Sequence, residues 1–518
     1  MNIDEDQQAS PDGEPKDTNR PTRVLHIGNI ANNAYLNARI LNERGFGCTA
    51  VSYDYTHIMG CPEWEDADFD EFPADQANPD WNSINLNGFK RPDWFVSGPL
   101  IDCLEKLVGN ETSGTVLGHA RRTERVRRLI SRTSVAMKKN RFISKLPWKN
   151  LALRLTYRCE AFVRRQINRV RGLAARLSRM GRDPYAGVAV PLGTEKMDCT
   201  PYIGVLPAWK AALSNFDIVI GYGLDGFIPL LAGKKPYLAF EHGTIRSFPF
   251  EDTPLGRRCA AAYRNATGAL ITNCDNRVAA ERLGLDHYRF VPHPVNEIPP
   301  DHARVEQLQA DLRGELDAEF LVFHPARQHW DPEVRHPNWE KGNDILIRGF
   351  AEFLEQTDRK AGLVMVRWGK SLEQTDALLR ELGIEDRVKW VEPLPHRRMS
   401  EMVLATEVVA DQFHIGAFGS LTPKGLMLGR PVLLKLDEEV HEWCFEEMPP
   451  VINTATPGEV AAGLLEMRTN PDRYRELAEA SSRWYQQYHS NDLIARVLGE
   501  EIDLAIRKVA SETPEAGA

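Results

Sequence analysis

The sequence lacks any long hydrophobic segment. No apolar run reaches the roughly 18 residues that a membrane-spanning helix needs, and the first 22 residues (MNIDEDQQASPDGEPKDTNRPT) are acidic and polar. We therefore expect neither a spanning helix nor a signal or transit peptide. Residues 1–22 and the final segment, ASETPEAGA, have the composition of disordered tails.

Cysteine spacing typical of a metal site is also missing. The eight cysteines are scattered along the chain, and no CxxC pair occurs. This pattern favours a protein of the reducing cytoplasm rather than a disulfide scaffold or a zinc module.

The composition is that of a globular protein, but the charge is distributed unevenly. Hydrophobic residues make up 42% and charged residues 26% of the chain, as in ordinary globular proteins. The length of 518 residues predicts two large domains or three smaller ones. Residues 121–182 hold 20 Lys and Arg and two acidic residues, a charge of +18 in a chain whose net charge is −9. Such asymmetry indicates a surface that meets an anionic partner.

Short apolar runs alternate with helical patterns. The run from Arg23 to Ile27 ends at Gly28, a helix is predicted over 33–44, and a second strand over 48–54. Further strands are predicted at 215–221, 235–243, 268–273, 287–292, 319–324, 362–368, 388–391, 408–411 and 431–434, and terminal helices at 471–488 and 492–509. This alternation predicts two doubly wound α/β domains, 23–298 and 299–490, followed by a C-terminal helix and tail over 491–518.

The basic block is predicted to be a helical insertion, 119–182, in the first domain. Over 151–180, apolar residues recur at helical spacing on one stripe and arginines on another. Three interpretations stay open: contact with an anionic membrane surface near a lipid-linked acceptor, a site for an anionic glycan, or a solvated helix that covers the sheet. The block lacks interleaved aromatics, so we expect no nucleic-acid partner.

Four segments carry a resemblance to a known family. They read RVLHIGNIANNAYLNARIL, SYDYTHIMGCPEWEDADFD, HPARQHWDPEVRHPNWEKGNDILIRGF and ADQFHIGAFGSLTPKGLMLGRPVLL. The chain resembles the retaining nucleotide-sugar glycosyltransferases of GT-B fold, the large family four, over about 23–60 and 215–490. The resemblance implies two Rossmann-like domains facing a cleft, with the donor on the second domain and the acceptor on the first.

The resemblance also implies two cations at the donor diphosphate. In the family an Arg follows the first strand of the second domain and a Lys-Gly pair opens the next helix; Arg327 and Lys341 match these positions. Fixed cations stabilise a departing nucleoside diphosphate without a metal. The gap of 14 positions between them is longer than usual. Whether the Lys341 side chain is directed toward the diphosphate therefore depends on how that segment folds.

The last segment departs from the family pattern at two acidic positions. Residues 416–419 read Gly-Ala-Phe-Gly where the family shows Glu-Gly-Phe-Gly, and Lys424 replaces the second Glu. That Glu normally binds the ribose hydroxyls, whereas a lysine only donates. We therefore predict that Lys424 lies near the nucleotide and holds it differently, or that activity is impaired. The amides at a helix start would cradle the diphosphate; they belong to Gly419, Ser420, Leu421 and Thr422.

The first domain offers weaker candidates. His242 ends a predicted strand, where the resemblance implies a histidine facing the sugar; the alternative is a histidine packed in a turn. Gly28 and Asn29 either permit close approach of a ligand or form a tight turn. We decline Asp66-Ala67-Asp68 as a metal motif because it lies in an acidic loop, and His293-Pro294 as a ligand pair because it suits a turn.

The resulting hypothesis is a metal-independent, cofactor-free hexosyltransferase of the cytoplasm or of the inner face of the plasma membrane. It would transfer a sugar from a nucleotide donor to a glycan or lipid-linked acceptor in the synthesis of envelope polysaccharide or glycoconjugates. Two alternatives stay open. One is a non-catalytic GT-B protein that binds a membrane or glycan, and the other is a nucleotide-sugar epimerase.

Overall fold

The computed structural model describes residues 20–109, Leu117, 195–333 and 340–512. The predicted basic insertion, 119–182, lies outside the described residues, as do most of the predicted N-terminal tail and the end of the C-terminal one. The account below concerns the described ranges.

The first domain is built on a parallel sheet of seven strands in the described ranges, in the order β3-β2-β1-β4-β5-β6-β7. β1 lies between β2 and β4, so that Val24 pairs with Cys48 on one side and with Ile218 on the other. The strands are β1 Arg23–Ile27, β2 Gly47–Tyr53, β3 Phe95–Gly98, β4 Ile218–Tyr222, β5 Tyr237–Phe240, β6 Gly268–Ile271 and β7 Tyr288–Phe290. Most are buried along their length, as expected when helices cover both faces of a parallel sheet.

Helices cover both faces of this sheet. They are α1 Asn33–Asn42, α2 Pro62–Asp66, α3 Leu100–Val108, α4 Leu206–Leu213, α5 Phe227–Ala232, α6 Pro254–Arg264 and α7 Arg277–Leu283. α1 packs on one side of β1, where Ile40 joins Val24 in the core, and α4 packs on the other side, where Trp209 joins Leu25. The alternation of strand residues between the two cores is the two-residue period of a strand.

The second domain repeats the same winding with six strands in the order β10-β9-β8-β11-β12-β13. The strands are β8 Phe320–His324, β9 Ala361–Val366, β10 Val388–Val391, β11 Val408–Ala410, β12 Val432–Leu434 and β13 Ile452–Asn453. The helices are α8 His302–Leu316, α9 Asn343–Glu355, α10 Leu372–Glu381, α11 His396–Ala405, α12 Leu421–Met427, α13 Glu438–His441, α14 Pro457–Thr469 and α15 Pro471–Tyr488. In both sheets the order reverses beside the first strand, which places a crevice at the carboxyl ends of the strands.

The last helix, α16 (Asn491–Glu512), returns to the first domain. Ile494, Leu498 and Ile502 are buried in the same cluster as Val24 and Ile40. The sequence predicts this helix but leaves open which domain it covers. In the described part of the chain, no helix combines the length and apolar character that crossing a bilayer requires.

The predicted fold class is confirmed, since the chain forms two doubly wound parallel sheets in succession. The predicted strands are all present, most with ends shifted by one to three residues. The sequence does not reveal β3 and β13. Both are short edge strands, and β13 is only two residues long, so neither carries a periodic pattern long enough to recognise.

Candidate functional site

The crevice between the domains is lined from both sides. The first domain contributes residues that follow β6 and β7, and the second contributes the loop before α12 together with α13. The lining residues are Thr272, Asn273, Cys274, His293, Ala417, Phe418, Gly419, Pro423, His441 and His489. Because the carboxyl ends of both sheets meet here, this is the position where α/β folds of this kind bind ligands.

The two predicted cations lie in the second domain, where Arg327 follows β8 and Lys341 precedes α9. Gln412 connects Lys341 to the crevice wall, because it accepts from the Lys341 ammonium and donates to the carbonyl oxygen of Ala417. The backbone amide of Lys341 donates to the carbonyl oxygen of His329 at 2.8 Å, and Phe413 N donates to the carbonyl of Lys341 at 2.8 Å. The long segment between the cations therefore folds back on itself, and its two ends are adjacent.

The positive charges of Arg327 and Lys341 are only partly compensated. Burial lowers the pKa of Lys341, with Arg327 and Arg246 lowering it further and Asp411 opposing them. Its ammonium donates to the neutral amide oxygen Oε1 of Gln412. The guanidinium of Arg327 lies 5.4 Å from the ring centre of Trp368, and burial lowers its pKa.

Within the described ranges, neither cation forms an ion pair. A buried cation with no carboxylate at ion-pair distance is costly, so this arrangement suits a ligand that brings its own negative charge.

Two residues of the first domain interact with these charges. Burial lowers the pKa of His57, and the positive charge of Arg327 lowers it further. The positive charge of Arg246 likewise lowers the pKa of Lys341. Arg246 is itself paired with Asp275, with Nη2 to Oδ1 at 2.7 Å. An anion bound at Arg327 and Lys341 would therefore lie between the two domains.

His242 follows β5 in the first domain. Its Nδ1 lies 3.3 Å from Nδ2 of Asn33, and its ring centre lies 5.3 Å from that of His293. Asn33 Oδ1 in turn lies 2.9 Å from Nδ1 of His293. Burial lowers the pKa of both histidines, so both rings are neutral at physiological pH and act as hydrogen-bond partners rather than charges.

The start of α12 is organised by Asp411. Its Oδ2 accepts hydrogen bonds from Gly419 N at 2.9 Å and from Thr422 Oγ1 at 2.7 Å. The Gly419 amide is thus engaged within the protein. A diphosphate cradle at this turn would rely on the amides of Ser420, Leu421 and Thr422. Amides at the start of a helix have no carbonyl acceptor within the helix.

Lys424, which the sequence predicts near the nucleotide, has its observed contacts at the boundary between the domains. Its side chain is 2% exposed, and Nζ donates to Ser400 Oγ at 3.0 Å. The charge it interacts with is Glu65, on α2 of the first domain. The ammonium therefore lies in the contact between the domains, and burial lowers its pKa to about 8 despite that partner.

The loop after β1 is occupied by internal contacts. Asn29 Nδ2 donates to Asn32 Oδ1 and to Gly60 O, each at 2.9 Å, while its Oδ1 accepts from Tyr35 N at 3.0 Å. Gly28 has φ +90, and a Cβ there would lie 2.3 Å from Oδ2 of Asp225. These contacts match the tight-turn interpretation of the loop, and side-chain binding by Asn29 would require breaking them.

One partly buried carboxylate, Asp225 after β4, was not singled out by the sequence. Burial raises the pKa of Asp225 to about 7, although Tyr53 donates a hydrogen bond to it. Its place at the end of a central parallel strand is the signal that could have found it. In the declined motif, Asp66 pairs with Arg39, and Asp68 pairs with Arg304 at 3.2 Å.

The fold defines the class. A glycosyltransferase from Rickettsia africae superposes with a TM-score of 0.51 and 10% identity, over 93% of this chain and 98% of that one. This likeness concerns the fold alone and confirms two Rossmann-like domains of the GT-B type.

The sequence matches are shorter. A D-inositol 3-phosphate glycosyltransferase of Nocardia farcinica is 33% identical over 99 residues, 18% of this chain and 22% of that protein. The enzyme of the same name from Corynebacterium diphtheriae is 31% identical over 98 residues, 18% of this chain and 23% of its own. The match spans about a fifth of the length of these curated relatives. No protein-family profile matches the chain.

Proposed function

We propose that the protein is a glycosyltransferase that binds a nucleotide-sugar donor between its two domains. The observation that carries the proposal is the pair of partly buried cations, Arg327 and Lys341, which act on each other electrostatically while Asp411 only partly offsets their charge. A nucleoside diphosphate supplies the missing negative charge. The matches to glycosyltransferases in sequence and in fold support the same class.

The chemistry follows from those charges. As the bond between the anomeric carbon and the phosphate oxygen breaks, negative charge grows on the diphosphate, and Arg327 and Lys341 stabilise it without a metal. The acceptor hydroxyl attacks from the same face with retention and gives its proton to the leaving phosphate oxygen. His242 and His293, both neutral, would hydrogen-bond the sugar.

The acceptor is proposed from charge. The basic block over 121–182 would bring the crevice to a lipid-linked or anionic glycan acceptor at the inner face of a membrane. That assignment places the enzyme in envelope polysaccharide or glycoconjugate synthesis. The name of the matched relatives adds a phosphorylated polyol to the acceptors worth testing.

The first test is nucleotide binding by calorimetry with UDP, GDP and ADP. Arg327→Ala and Lys341→Ala should each weaken the preferred nucleotide by about 10- to 100-fold, because a hydrogen bond to a charged group contributes about 1.5–3 kcal/mol. Arg475→Ala, which removes a guanidinium from an exposed pair with Asp472, is the matched control and should bind normally. Unchanged affinity in both crevice variants would refute the proposed site.

The second test is turnover. Release of the nucleoside diphosphate that depends on an acceptor identifies a transferase, whereas interconversion of a donor without acceptor identifies an epimerase. Binding without either reaction would favour a non-catalytic protein. The observations on that side are Gly416 and Lys424, which stand where the family has two glutamates.

A further inference from the structure

Two cysteines from different domains meet beside the crevice. Cys274 begins a short 3-10 helix, Cys274–Asn276, directly after β6, and Cys444 follows α13 of the second domain. Cys274 and Cys444 pack in the same apolar cluster, in which the ring of Phe445 stacks on His441, and both Cys444 and His441 act on the Cys274 thiol. Trp443 Nε1 donates to the carbonyl oxygen of Cys274 at 2.7 Å, which holds the two segments together.

His441 is oriented to act as a base toward this pair. It is fully buried, and its Nδ1 lies 2.7 Å from the carbonyl oxygen of Asp437. A carbonyl oxygen only accepts, so Nδ1 carries the proton and Nε2 presents a lone pair. Nε2 is buried and has no hydrogen-bond partner of ordinary geometry, and Cys274 is the thiol with which the ring interacts.

The two thiols differ in reactivity. Burial works to raise the pKa of Cys274, but the contacts with Cys444 and His441 bring it down to about 7. Burial and the same contact raise the pKa of Cys444. Elsewhere in the described chain, burial alone raises the pKa of Cys48 to about 12. Cys274 therefore has the character of an attacking thiolate, since the thiolate is the reactive form.

We propose that Cys274 and Cys444 form a peroxide-sensitive thiol pair whose oxidation joins the two domains by a disulfide. The Cys274 thiolate attacks one oxygen of hydrogen peroxide, the O–O bond breaks, and water leaves after protonation, which gives a sulfenic acid. The Cys444 thiol then attacks that sulfur, the S–O bond breaks, and its proton leaves with the second water. Two thiols and one peroxide become one disulfide and two waters.

A disulfide between Cys274 and Cys444 would lie at the wall of the crevice. Cys274 lines the crevice, so a small oxidant reaches it from there, and the same wall includes Phe418, Gly419 and Pro423 at the start of α12. A covalent link across this wall holds the domains in their present contact. Oxidation should therefore slow the exchange of any nucleotide bound between them.

The test uses the full chain, reduced and then treated with hydrogen peroxide at pH 7. After thiol blocking and proteolysis without reductant, mass spectrometry should find the peptide pair that joins 274 to 444, and dithiothreitol should remove it. In Cys444→Ser the linked peptide should be absent, and dimedone should label Cys274 as a sulfenic acid. Cys259→Ser, which removes a buried thiol of pKa about 12, is the control and should form the link as the wild type does.

His441→Gln supplies an independent readout. The pH midpoint for alkylation of Cys274 by iodoacetamide should lie near 7 in the wild type and move upward by at least one pH unit in the variant. Oxidation spread evenly over other cysteines, or an unchanged midpoint, would overturn the proposal. The linkage assay needs no nucleotide, so its failure is distinct from failure of the proposed transferase function. Unchanged nucleotide exchange in the linked protein would overturn the claim that the bridge slows this exchange.

Discussion

At the scale of single residues, Lys424 shows how a change of charge moves a side chain to another task. It lies 2% exposed between the domains, where it interacts with Glu65. A position near the nucleotide stays a prediction for Lys424, and the sequence did not show the contact with Glu65. The contact that decides its position comes from α2, more than 350 residues earlier in the chain, and no local pattern encodes such a pairing.

The first prediction concerns this pair. Lys424→Glu restores the family's acidic residue type, but it buries a second carboxylate beside Glu65, so unfolding free energy should fall by about 3–5 kcal/mol. The double change Glu65→Lys with Lys424→Glu should recover more than half of that loss. Urea unfolding followed by circular dichroism measures both.

The surface lysine Lys210, which is exposed, provides the control for the charge reversal. Lys210→Glu should alter stability by no more than about 0.5 kcal/mol. If Lys424→Glu were equally mild, Glu65 and Lys424 would not form the buried pair described above.

At the scale of elements, the strands were predictable and the position of the last helix was not. Central strands such as β9 are continuous apolar runs, and β1 is a mostly apolar run that ends at a glycine, which the sequence shows directly. α16 has an amphipathic pattern that would fit either domain. Its apolar face lies against the apolar surface of the first domain beside β1 and α1. That surface exists only once the first domain has folded, so the sequence does not show it.

The second prediction separates the buried face of α16 from its solvent face. Leu498 is fully buried against the first domain, whereas Leu504 on the same helix is 42% exposed. Leu498→Ala should lower the unfolding free energy by about 2–5 kcal/mol through the cavity it leaves, and Leu504→Ala by less than about 0.5 kcal/mol. Chemical denaturation of the two variants provides the comparison, and equal losses would mean that α16 does not pack as described.

At the scale of the whole molecule, the candidate site depends on how distant segments assemble. The sequence could name Arg327 and Lys341, because each follows or precedes a recognisable element. It could not show that they are neighbours, since that depends on the backbone contact between Lys341 and His329 and on the approach of Arg246 from the other domain. His293 illustrates the same limit: the sequence predicts a turn residue there, and its contact with His242 is visible only in the folded chain.

The third prediction uses pH to probe the contact between the domains. Burial and Asp66 raise the pKa of Glu65 to about 7, above the ordinary 4.5, while Lys424 and Arg39 oppose the shift. Between those values the unfolded chain releases this proton and the folded chain keeps it, so stability falls as pH rises from about 4.5 to 7. His396, with pKa about 3, stays neutral over this window, and Lys424 stays protonated.

Glu65→Gln has no such proton to release. The unfolding free energy of the wild type relative to the variant should therefore decline by up to about 1.4 kcal/mol per pH unit within that window. Urea unfolding at pH 5, 6 and 7 measures the difference, in which any constant effect of losing the partner of Lys424 cancels. Parallel pH profiles for the two proteins would contradict the buried carboxyl.

The return of α16 to the first domain means that the chain crosses between the domains twice, once after β7 and once between α15 and α16. Glu297 ties these crossings together, because its Oε1 accepts from Tyr485 Oη at 2.7 Å and from Asn491 N at 2.9 Å. His489 Nε2 adds a contact of 2.9 Å to the carbonyl of His293. A paired linker of this kind resists twisting and sliding of the domains against each other but still bends. The two domains should therefore separate by a hinge rotation about an axis that passes through the two crossings.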